Sequence, residues 1–244
     1  MGRLTGKVAI VTGAGGGQGA AEASLFVAEG ATVVLTDIDD ARGRAVADGL
    51  GAAARFMHHD VSSRDDWQIV VEETLSTFGR LDILINNAGV YKPKGFDETD
   101  QALMDLHYRV NVLGVFHGMK AVRQALTDVG GGRIVNVASG AGLRGYPGMF
   151  AYAASKWAVR GLSKCAAVEL AASGIRVNAI LPGLIDTPML GENSEEYMQS
   201  LIRFIPIGRL GGSEEIAEAA LFLASDASSY VTGAELVVCG GMMA

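Results

Sequence analysis

A tyrosine and a lysine, Tyr152 and Lys156, lie four residues apart in a segment with helical periodicity. Their side chains therefore share one face of the predicted helix. A free phenol has a pKa of about 10 and is a poor base at neutral pH. An ammonium group beside it favours the phenolate and lowers that pKa. The pair predicts a proton-transferring group, although a Tyr-x-x-x-Lys spacing also occurs by chance on helix surfaces.

Two further polar residues could serve the same reaction. Ser139 follows an apolar run, where its hydroxyl could hydrogen-bond a substrate oxygen. Asn111 lies in a long helical segment, where it could hold a water that links Lys156 to solvent. Taken singly, Ser139 could be a helix cap and Asn111 a buried structural amide. When Asn111, Ser139, Tyr152 and Lys156 occur in a chain that also has a nucleotide-binding loop, described next, their combination favours catalysis.

A glycine cluster at residues 13–19 lies between a β-branched run and a helical segment. Glycines let the backbone turn sharply and approach a pyrophosphate at a helix N-terminus. Asp37 ends the second apolar run about 20 residues further on, where a carboxylate would bind the ribose hydroxyls and repel a 2′-phosphate. The loop has no Lys or Arg, Ile38 follows Asp37, and we expect Arg42 and Arg44 to point to solvent. NAD is therefore predicted over NADP, unless Asp37 is merely a helix cap.

Short apolar runs alternate with amphipathic segments along the whole chain. Near-continuous Val, Ile and Leu predict parallel strands that are covered on both faces. Repeated alternation predicts βαβ units in a single α/β domain over residues 1–244, a doubly wound Rossmann-type sheet of about seven parallel strands with helices on both faces. The predicted strands are Val8–Val11, Thr32–Thr36, Arg55–His58, Ile83–Ile85, Arg133–Ala138, Arg176–Leu181 and Glu235–Val238, and the predicted helices are Ala20–Glu29, Asp39–Leu50, Arg64–Phe78, Asp100–Leu126, Tyr152–Ala172 and Glu214–Ser225.

The segment 182–210 is rich in proline and glycine and follows a strand, at the edge where such sheets bind ligands. We predict a substrate lid with a short helix over Ser194–Arg203, the alternative being an ordinary surface loop. The candidate pocket walls are mostly apolar, which favours a neutral hydrophobic substrate, although the methionines could instead fill a core. These residues are Tyr91, Ala141, Leu143, Tyr146, Pro147, Met149, Leu184, Met189, Leu190 and Met198.

Composition excludes several other classes of protein. The 244 residues carry a net charge of −7 and no basic run, which argues against nucleic-acid binding. No apolar stretch is long enough to span a membrane, and the N-terminal segment does not resemble a signal peptide, so we expect a cytoplasmic protein without a membrane partner. The two cysteines form no cluster with histidines, and no metal site is predicted.

Four motifs occur together in a fixed order: TGxxxGxG at residues 12–19, Asn-Asn-Ala-Gly at residues 86–89, Ser139, and Tyr152-x-x-x-Lys156. This set closely resembles the short-chain dehydrogenase/reductase family, and the resemblance runs from Gly6 to Gly241. Residues 154–164 and 228–235 are most similar to bacterial 3α/20β-hydroxysteroid dehydrogenase-like members that act on steroids and cyclic secondary alcohols.

The resemblance implies an NAD-dependent oxidoreductase that interconverts a secondary alcohol and a ketone. It implies a homotetramer paired through its long helices, and the apolar tail Met242–Ala244 could pack on a neighbouring subunit. The implied catalytic residues are Asn111, Ser139, Tyr152 and Lys156. The residues expected to bind the cofactor are Gly13, Gly17, Gln18, Gly19, Asp37, Ile38, Asp60, Val61, Asn87, Ala88, Gly89, Tyr152, Lys156, Pro182, Gly183, Ile185 and Thr187.

Two positions depart from the family pattern. Gln18 replaces a residue that is usually apolar, and Cys239 replaces a usual aspartate. Two other functions stay open: a reductase of 3-oxoacyl thioesters, which predicts NADPH and a basic patch, and a non-catalytic NAD-binding sensor. An enoyl reductase would need a wider Tyr–Lys spacing, and a halohydrin dehalogenase would lack the glycine loop.

Overall fold

The computed structural model describes residues 2–192 and 194–244, and strands in this part of the chain form one seven-stranded sheet. All neighbouring strands are parallel, in the order β3-β2-β1-β4-β5-β6-β7. The predicted doubly wound sheet is therefore confirmed. The strands are β1 (Val8–Thr12), β2 (Thr32–Asp37), β3 (Ala54–His58), β4 (Ile83–Asn86), β5 (Arg133–Val137), β6 (Arg176–Pro182) and β7 (Glu235–Val238).

Helices cover both faces of this sheet. They are α1 (Gly17–Ala28), α2 (Asp40–Leu50), α3 (Arg64–Phe78), α4 (Gln101–His107), α5 (Gly114–Asp128), α6 (Phe150–Leu170), α7 (Glu195–Ile202) and α8 (Ser213–Ala224). Among the described residues, none of the helices has the length and apolar character that crossing a bilayer requires. The same residues contain no group of three or more His, Cys, Asp or Glu side chains that could hold a metal ion.

Alternate residues of the central strands contribute their side chains to two hydrophobic cores, one on each face of the sheet. Ile10 of β1 joins Trp67 of α3 on one face, in a core that also receives α5 and α6. Val11 joins Phe26 of α1 on the other face, with α8. Each of these side chains is at most 1% exposed, and burying one contributes roughly 1.5–3 kcal/mol. Burial on both faces explains why the strands read as continuous apolar runs rather than as alternating ones.

One predicted helix is interrupted. In place of a single helix over Asp100–Leu126, α4 and α5 flank a π-helical turn at Tyr108–Leu113. A π turn has one extra residue per turn, which rotates the side chains that follow it and is common at functional sites. Apolar periodicity does not reveal this change, because both flanking helices keep their buried faces.

The strand order reverses between β1 and β4, which opens a crevice at the carboxyl ends of these strands. Residues 188–192 of the predicted lid form a 3₁₀ turn, and α7 follows at the place where the short helix was predicted. Asn193, which belongs to the predicted lid, lies outside the described residues. The crevice and this segment frame the candidate site.

Candidate active site

The glycine loop packs directly against the segment that follows β4. Gly13 has φ +65°, and a Cβ atom there would lie 2.8 Å from the Cα atom of Ala88. A Cβ atom on Gly19 would lie 2.4 Å from the carbonyl oxygen of Gly13. Both distances are shorter than van der Waals contact, so only glycine fits these positions. The loop thus brings bare backbone to the crevice, as pyrophosphate binding requires.

Two side chains fix the loop to the end of β4. Asn87 Nδ2 donates to the carbonyl oxygens of Thr12 (2.9 Å) and Gly13 (3.2 Å). The Thr12 hydroxyl accepts from the backbone N–H groups of Asn87 (3.1 Å) and Ala88 (3.0 Å). Our sequence reasoning did not assign Thr12 a role, although it is the first residue of the TGxxxGxG motif.

The Asp37 carboxylate faces the glycine loop. It accepts hydrogen bonds from the backbone N–H groups of Gly15 (2.8 Å) and Asp39 (2.9 Å). The cap of α2 is Asp39, which accepts from the Arg42 backbone N–H at 3.1 Å. The alternative in which Asp37 serves only as the helix cap is therefore wrong. Asp37 is positioned by backbone donors at the crevice rim.

Arg42 lies at this rim. It lines the crevice, its Nε atom donates to Asp39 Oδ2 at 2.9 Å, and its side chain is largely exposed to solvent, as expected. Arg44, in contrast, lies over the ring of Phe56 and pairs with Asp40. The Arg42 side chain is 65% exposed, so its pairing with Asp39 is screened by solvent.

Most of the residues predicted to bind a cofactor line the crevice. Those that line it are Gly13, Gly17, Gln18, Asp37, Ile38, Asp60, Val61, Asn87, Ala88, Gly89 and Thr187. A second, adjoining cavity is lined by Pro182, Gly183, Ile185, Tyr152 and Lys156, and shares Gln18, Asn87, Gly89 and Thr187 with the crevice. The two spaces therefore meet at a common border. Gly19 lines neither space and acts through its close packing on Gly13.

Tyr152, Lys156 and Ser139 meet in the second cavity. Tyr152 and Lys156 both lie on α6, with the Lys156 Nζ atom 5.8 Å from the centre of the Tyr152 ring. Lys156 is 4% exposed, and its ammonium donates to the Val137 carbonyl oxygen at 2.8 Å. Ser139 lines the same cavity, close enough to Tyr152 to affect the pKa of its phenol. All three line the cavity that shares Gln18, Asn87, Gly89 and Thr187 with the crevice.

Burial controls the protonation of this pair. Burial lowers the pKa of Lys156 to about 8. Burial also raises the pKa of Tyr152, while its contact with Ser139 acts in the opposite direction. The net direction for Tyr152 is a rise, because desolvation of the phenolate outweighs the favourable contact with Ser139. The phenol is therefore protonated at neutral pH.

Asn111 lies in the π turn and is fully buried. Its Oδ1 accepts from the Val90 backbone N–H at 2.8 Å, and its Nδ2 donates to the Val90 carbonyl oxygen (3.0 Å) and Ser155 Oγ (3.0 Å). A Cβ atom on Gly89 would lie 3.2 Å from Asn111 Oδ1 and 3.5 Å from Lys156 Nζ. The amide and the ammonium therefore flank the same glycine, and a bridging water stays a prediction.

The second cavity also contains most of the predicted substrate residues: Tyr91, Ala141, Tyr146, Met149, Leu184, Met189 and Leu190. The placement of Leu143 was wrong, because its side chain packs against the hydrophobic core formed with α3, α5 and α6. Pro147 and Met198 do not line the cavity either. Lining residues that sequence reasoning did not place there include Gly140, Leu201, Met242 and Met243. Met242 and Met243 were missed because the C-terminal tail is distant in sequence from Tyr152.

The two departures from the family pattern have different settings. Gln18 lines both spaces, and its side-chain oxygen Oε1 is buried without a hydrogen-bond partner. A buried acceptor without a donor is unfavourable, and a donor on a bound molecule would satisfy it. Cys239 packs against Gly183, where a Cβ atom would lie 2.8 Å from the Cys239 Cα atom. Together with the glycine cradle and Asp37, the Gln18 oxygen fits a dinucleotide across both spaces.

Comparisons with known proteins agree with this arrangement. A family model described as Enoyl-(Acyl carrier protein) reductase matches residues 13–243. The 3-alpha-(or 20-beta)-hydroxysteroid dehydrogenase of Mycobacterium bovis is 43% identical over 243 residues, with 100% of this chain and 92% of the relative covered. A cyclopentanol dehydrogenase of Comamonas sp. is 41% identical over 249 residues and is covered, like this chain, over 100% of its length.

A solved structure has the same fold. The crystal structure of 3-ketoacyl-(acyl-carrier-protein) reductase from Brucella melitensis, complexed with NADH, superposes with a TM-score of 0.94 at 38% identity, covering 99% of this chain and 100% of that one. The family model spans nearly the whole chain, and the relatives match from end to end. The chain belongs to the short-chain dehydrogenase/reductase family and is an oxidoreductase.

Proposed function

We propose that this enzyme interconverts an apolar, cyclic or steroid-like secondary alcohol and its ketone, with NAD(H) as the cofactor. The observation that carries the proposal is the meeting of Ser139, Tyr152 and Lys156 in an apolar cavity that adjoins a glycine-lined crevice. A hydride acceptor in the crevice and an alcohol in the cavity would be adjacent there.

Bound NAD would supply the hydride acceptor. In reduction, the Tyr152 phenol donates its proton to the substrate oxygen; in oxidation, the phenol first releases that proton to solvent, and the resulting phenolate oxygen accepts the substrate hydroxyl proton. Ser139 Oγ accepts from the Ala141 backbone N–H at 3.1 Å, which leaves its own proton for the substrate oxygen or Tyr152. Lys156, anchored on the Val137 carbonyl, brings positive charge toward the phenolate that forms.

Asp37 supports NAD over NADP. Its carboxylate is fixed by two backbone donors at the end of β2, where the 2′-position of the adenosine ribose would lie. A 2′-phosphate there would meet a like charge. Arg42 also lines the crevice, and its solvent-screened pair with Asp39 leaves its guanidinium available, so the preference for NAD rests on Asp37 alone.

The shape and polarity of the second cavity support an apolar substrate. Its walls are mainly Met, Leu and Tyr side chains, with few polar groups other than the catalytic ones. Relatives named for steroid and cyclopentanol oxidation are consistent with this class. The solved neighbour named for 3-ketoacyl-(acyl-carrier-protein) reduction keeps a thioester reductase as the second candidate.

The test is an absorbance assay of nicotinamide reduction or oxidation. NAD and NADP are offered with cyclic secondary alcohols and hydroxysteroids, and NADH and NADPH with the ketones and a 3-oxoacyl thioester. We expect turnover that prefers NAD(H) and a cyclic substrate. A preference for NADPH and the thioester would replace the proposal by the second candidate, and NADH binding without any turnover would favour a cofactor sensor.

The role of Asp37 is tested in the same assay. Asp37→Ser should lower the NAD-to-NADP ratio of kcat/KM by about tenfold to 100-fold, because it removes a charge that opposes the 2′-phosphate, a coupling worth roughly 1–3 kcal/mol. Asp40→Ser is the matched control, since Asp40 lies outside the crevice and pairs with His58 and Arg44. An unchanged ratio in Asp37→Ser would remove the basis for NAD preference.

The homotetramer implied by the family stays a prediction. Phe116 on α5 and both Trp157 and Val168 on α6 are exposed apolar side chains, at 40%, 48% and 81%. Such residues are compatible with helix pairing across two-fold axes. Light scattering of the purified enzyme measures the oligomeric state directly.

A further inference from the structure

The C-terminal tail, residues 239–244, turns back toward the substrate cavity of its own chain. Gly240 and Gly241 have φ +61° and +85°, a left-handed conformation that favours glycine, and they make the turn after β7. The Gly240 carbonyl accepts from the Ile207 backbone N–H at 3.2 Å, which ties the turn to the end of the lid segment. Met242 is 7% exposed, and both Met242 and Met243 line the cavity. The tail thus packs on the cavity of its own chain, and packing of its remaining exposed surface on a neighbouring subunit stays a prediction.

Met243 occupies the space beside the catalytic serine. A Cβ atom on Gly140, the residue after Ser139, would lie 2.7 Å from Met243 Cε and 3.3 Å from Met243 Sδ. The thioether thus fills the volume that a side chain at residue 140 would take. Met243 is therefore an apolar wall of the cavity beside the residue that follows Ser139.

Two polar side chains hold the tail in this position. The Tyr146 hydroxyl donates to Met243 Sδ at 3.1 Å. Arg144 donates through Nε to the Tyr146 oxygen at 2.8 Å and through Nη2 to the Met242 carbonyl oxygen at 3.4 Å. The Arg144 guanidinium also lies over the Tyr146 ring, 4.9 Å from its centre. These contacts give a flexible methionine a defined place, which a side chain serving only as core filler would not need.

The cavity that results is small. Its volume is about 120 Å³, whereas pockets for drug-sized ligands have roughly 300–1,000 Å³. A single ring with a few substituents fits such a space more readily than a fused four-ring system.

We propose that Met243 determines substrate size, closing the cavity beside Ser139 so that compact single-ring alcohols and ketones are preferred over steroids. Arg144 and Tyr146 are positioning residues that keep Met243 there. The proposal rests on the proposed alcohol–ketone activity and assigns its substrate class.

The test compares kcat/KM for cyclopentanol and for a hydroxysteroid in the wild-type enzyme and three variants. Met243→Ala opens the wall, Met243→Leu keeps its approximate volume, and Met104→Ala removes a methionine on α4 that does not line the cavity. A methylene-sized change in an apolar pocket alters discrimination by about tenfold to 200-fold, so Met243→Ala should raise the steroid-to-cyclopentanol ratio by at least about tenfold. The other two variants should keep the wild-type ratio. An unchanged ratio in Met243→Ala, or a wild-type enzyme that prefers the steroid, overturns the proposal.

A second measurement does not depend on turnover. In spectra of protein labelled with ¹³C-methyl methionine, the Met243 signal is assigned by its absence in Met243→Ala. Tyr146→Phe removes only the hydroxyl that bonds the sulfur, so it should shift the Met243 signal and leave the Met104 signal in place. If the wild-type enzyme oxidises neither alcohol, the proposed function fails and this spectrum alone decides: a shifted Met243 signal supports the tail position, and an unchanged one overturns it.

Discussion

The cofactor crevice and the substrate cavity share a border, but backbone atoms line most of the first and side chains line most of the second. The crevice is mostly backbone: Gly13 and Gly19 admit no Cβ atom, and Thr12 and Asn87 fix the loop through main-chain groups. The cavity is mostly side chains, contributed by the loops after β4, β5 and β6 and by the C-terminal tail. Backbone geometry can present the same surface in every member of a family, whereas a wall of side chains changes with each substitution.

This difference has a functional consequence. A dinucleotide is the same molecule for many enzymes, so a rigid main-chain cradle suits it. Substrates differ between enzymes, and a wall of flexible Met and Leu side chains can be reshaped without moving the sheet. Substitutions in the crevice should therefore cause large losses, and substitutions in the cavity wall should change selectivity modestly.

The largest effect is expected at the border of the two regions. Tyr152→Phe removes the proton-transferring oxygen, so turnover should fall by about 10²- to 10⁴-fold while NADH binding is nearly unchanged. Fluorescence titration with NADH and the absorbance assay measure the two quantities. Tyr230→Phe is the control, because Tyr230 is fully exposed. If the Tyr152→Phe variant retains turnover, the assignment of Tyr152 as the acid and base is wrong.

The next effect concerns α1, which begins at the crevice and continues into the core. Glu22 is fully buried, neither of its carboxylate oxygens has a hydrogen-bond partner, and burial raises its pKa from 4.5 to about 8. The folded protein therefore holds this proton more tightly than the unfolded chain does. The stability contribution is complete below pH 4.5 and is lost as the pH rises through about 8.

Glu22→Met tests that dependence. At about 1.4 kcal/mol per pKa unit, the wild-type free energy of unfolding should fall by about 3 kcal/mol relative to the variant between pH 5 and pH 8. Denaturant unfolding at the two pH values measures it. Glu169→Met on α6 is the control, since Glu169 is exposed. A wild-type-to-variant difference that is the same at both pH values would contradict the assignment.

Gly19→Ala addresses the backbone cradle itself. The added methyl group would lie 2.4 Å from the Gly13 carbonyl oxygen, so the loop must move by about 1 Å, a misplacement that typically costs about 100-fold in kcat/KM. NADH affinity should fall as well. Gly49→Ala, in open space on α2, should leave both quantities unchanged. If Gly19→Ala binds NADH normally, the crevice is less rigid than its geometry indicates.

The smallest effect is expected on the cavity wall. Met189 lines both spaces and is 42% exposed, so Met189→Ala should raise KM for the alcohol by about threefold to tenfold with little change in kcat. Met198→Ala, off the cavity, is the comparison. A loss in kcat as large as that of Gly19→Ala would erase the distinction between the two regions.

Local patterns were sufficient for the sheet and for the crevice. The apolar runs predicted each strand to within two residues, and the glycine spacing together with Asp37 located the nucleotide-binding crevice. They were insufficient for the cavity wall. Leu143 was misplaced because a residue near Ser139 in sequence can point into the core. Met243 was not predicted to line the cavity because no local signal shows that the chain turns back at Gly240.

The sequence by itself therefore determined which residues carry the chemistry. These are the glycine loop, an acidic residue, Ser139 and the Tyr152–Lys156 pair, and each is recognised by a short motif. Only the tertiary structure decided the protonation of that pair, because burial, not spacing, lowers the pKa of Lys156 and raises that of Tyr152. It also decided the π turn that places Asn111 and the position of Met243 in the cavity wall. Motifs record local backbone requirements, whereas desolvation and the meeting of distant segments depend on how the whole chain packs.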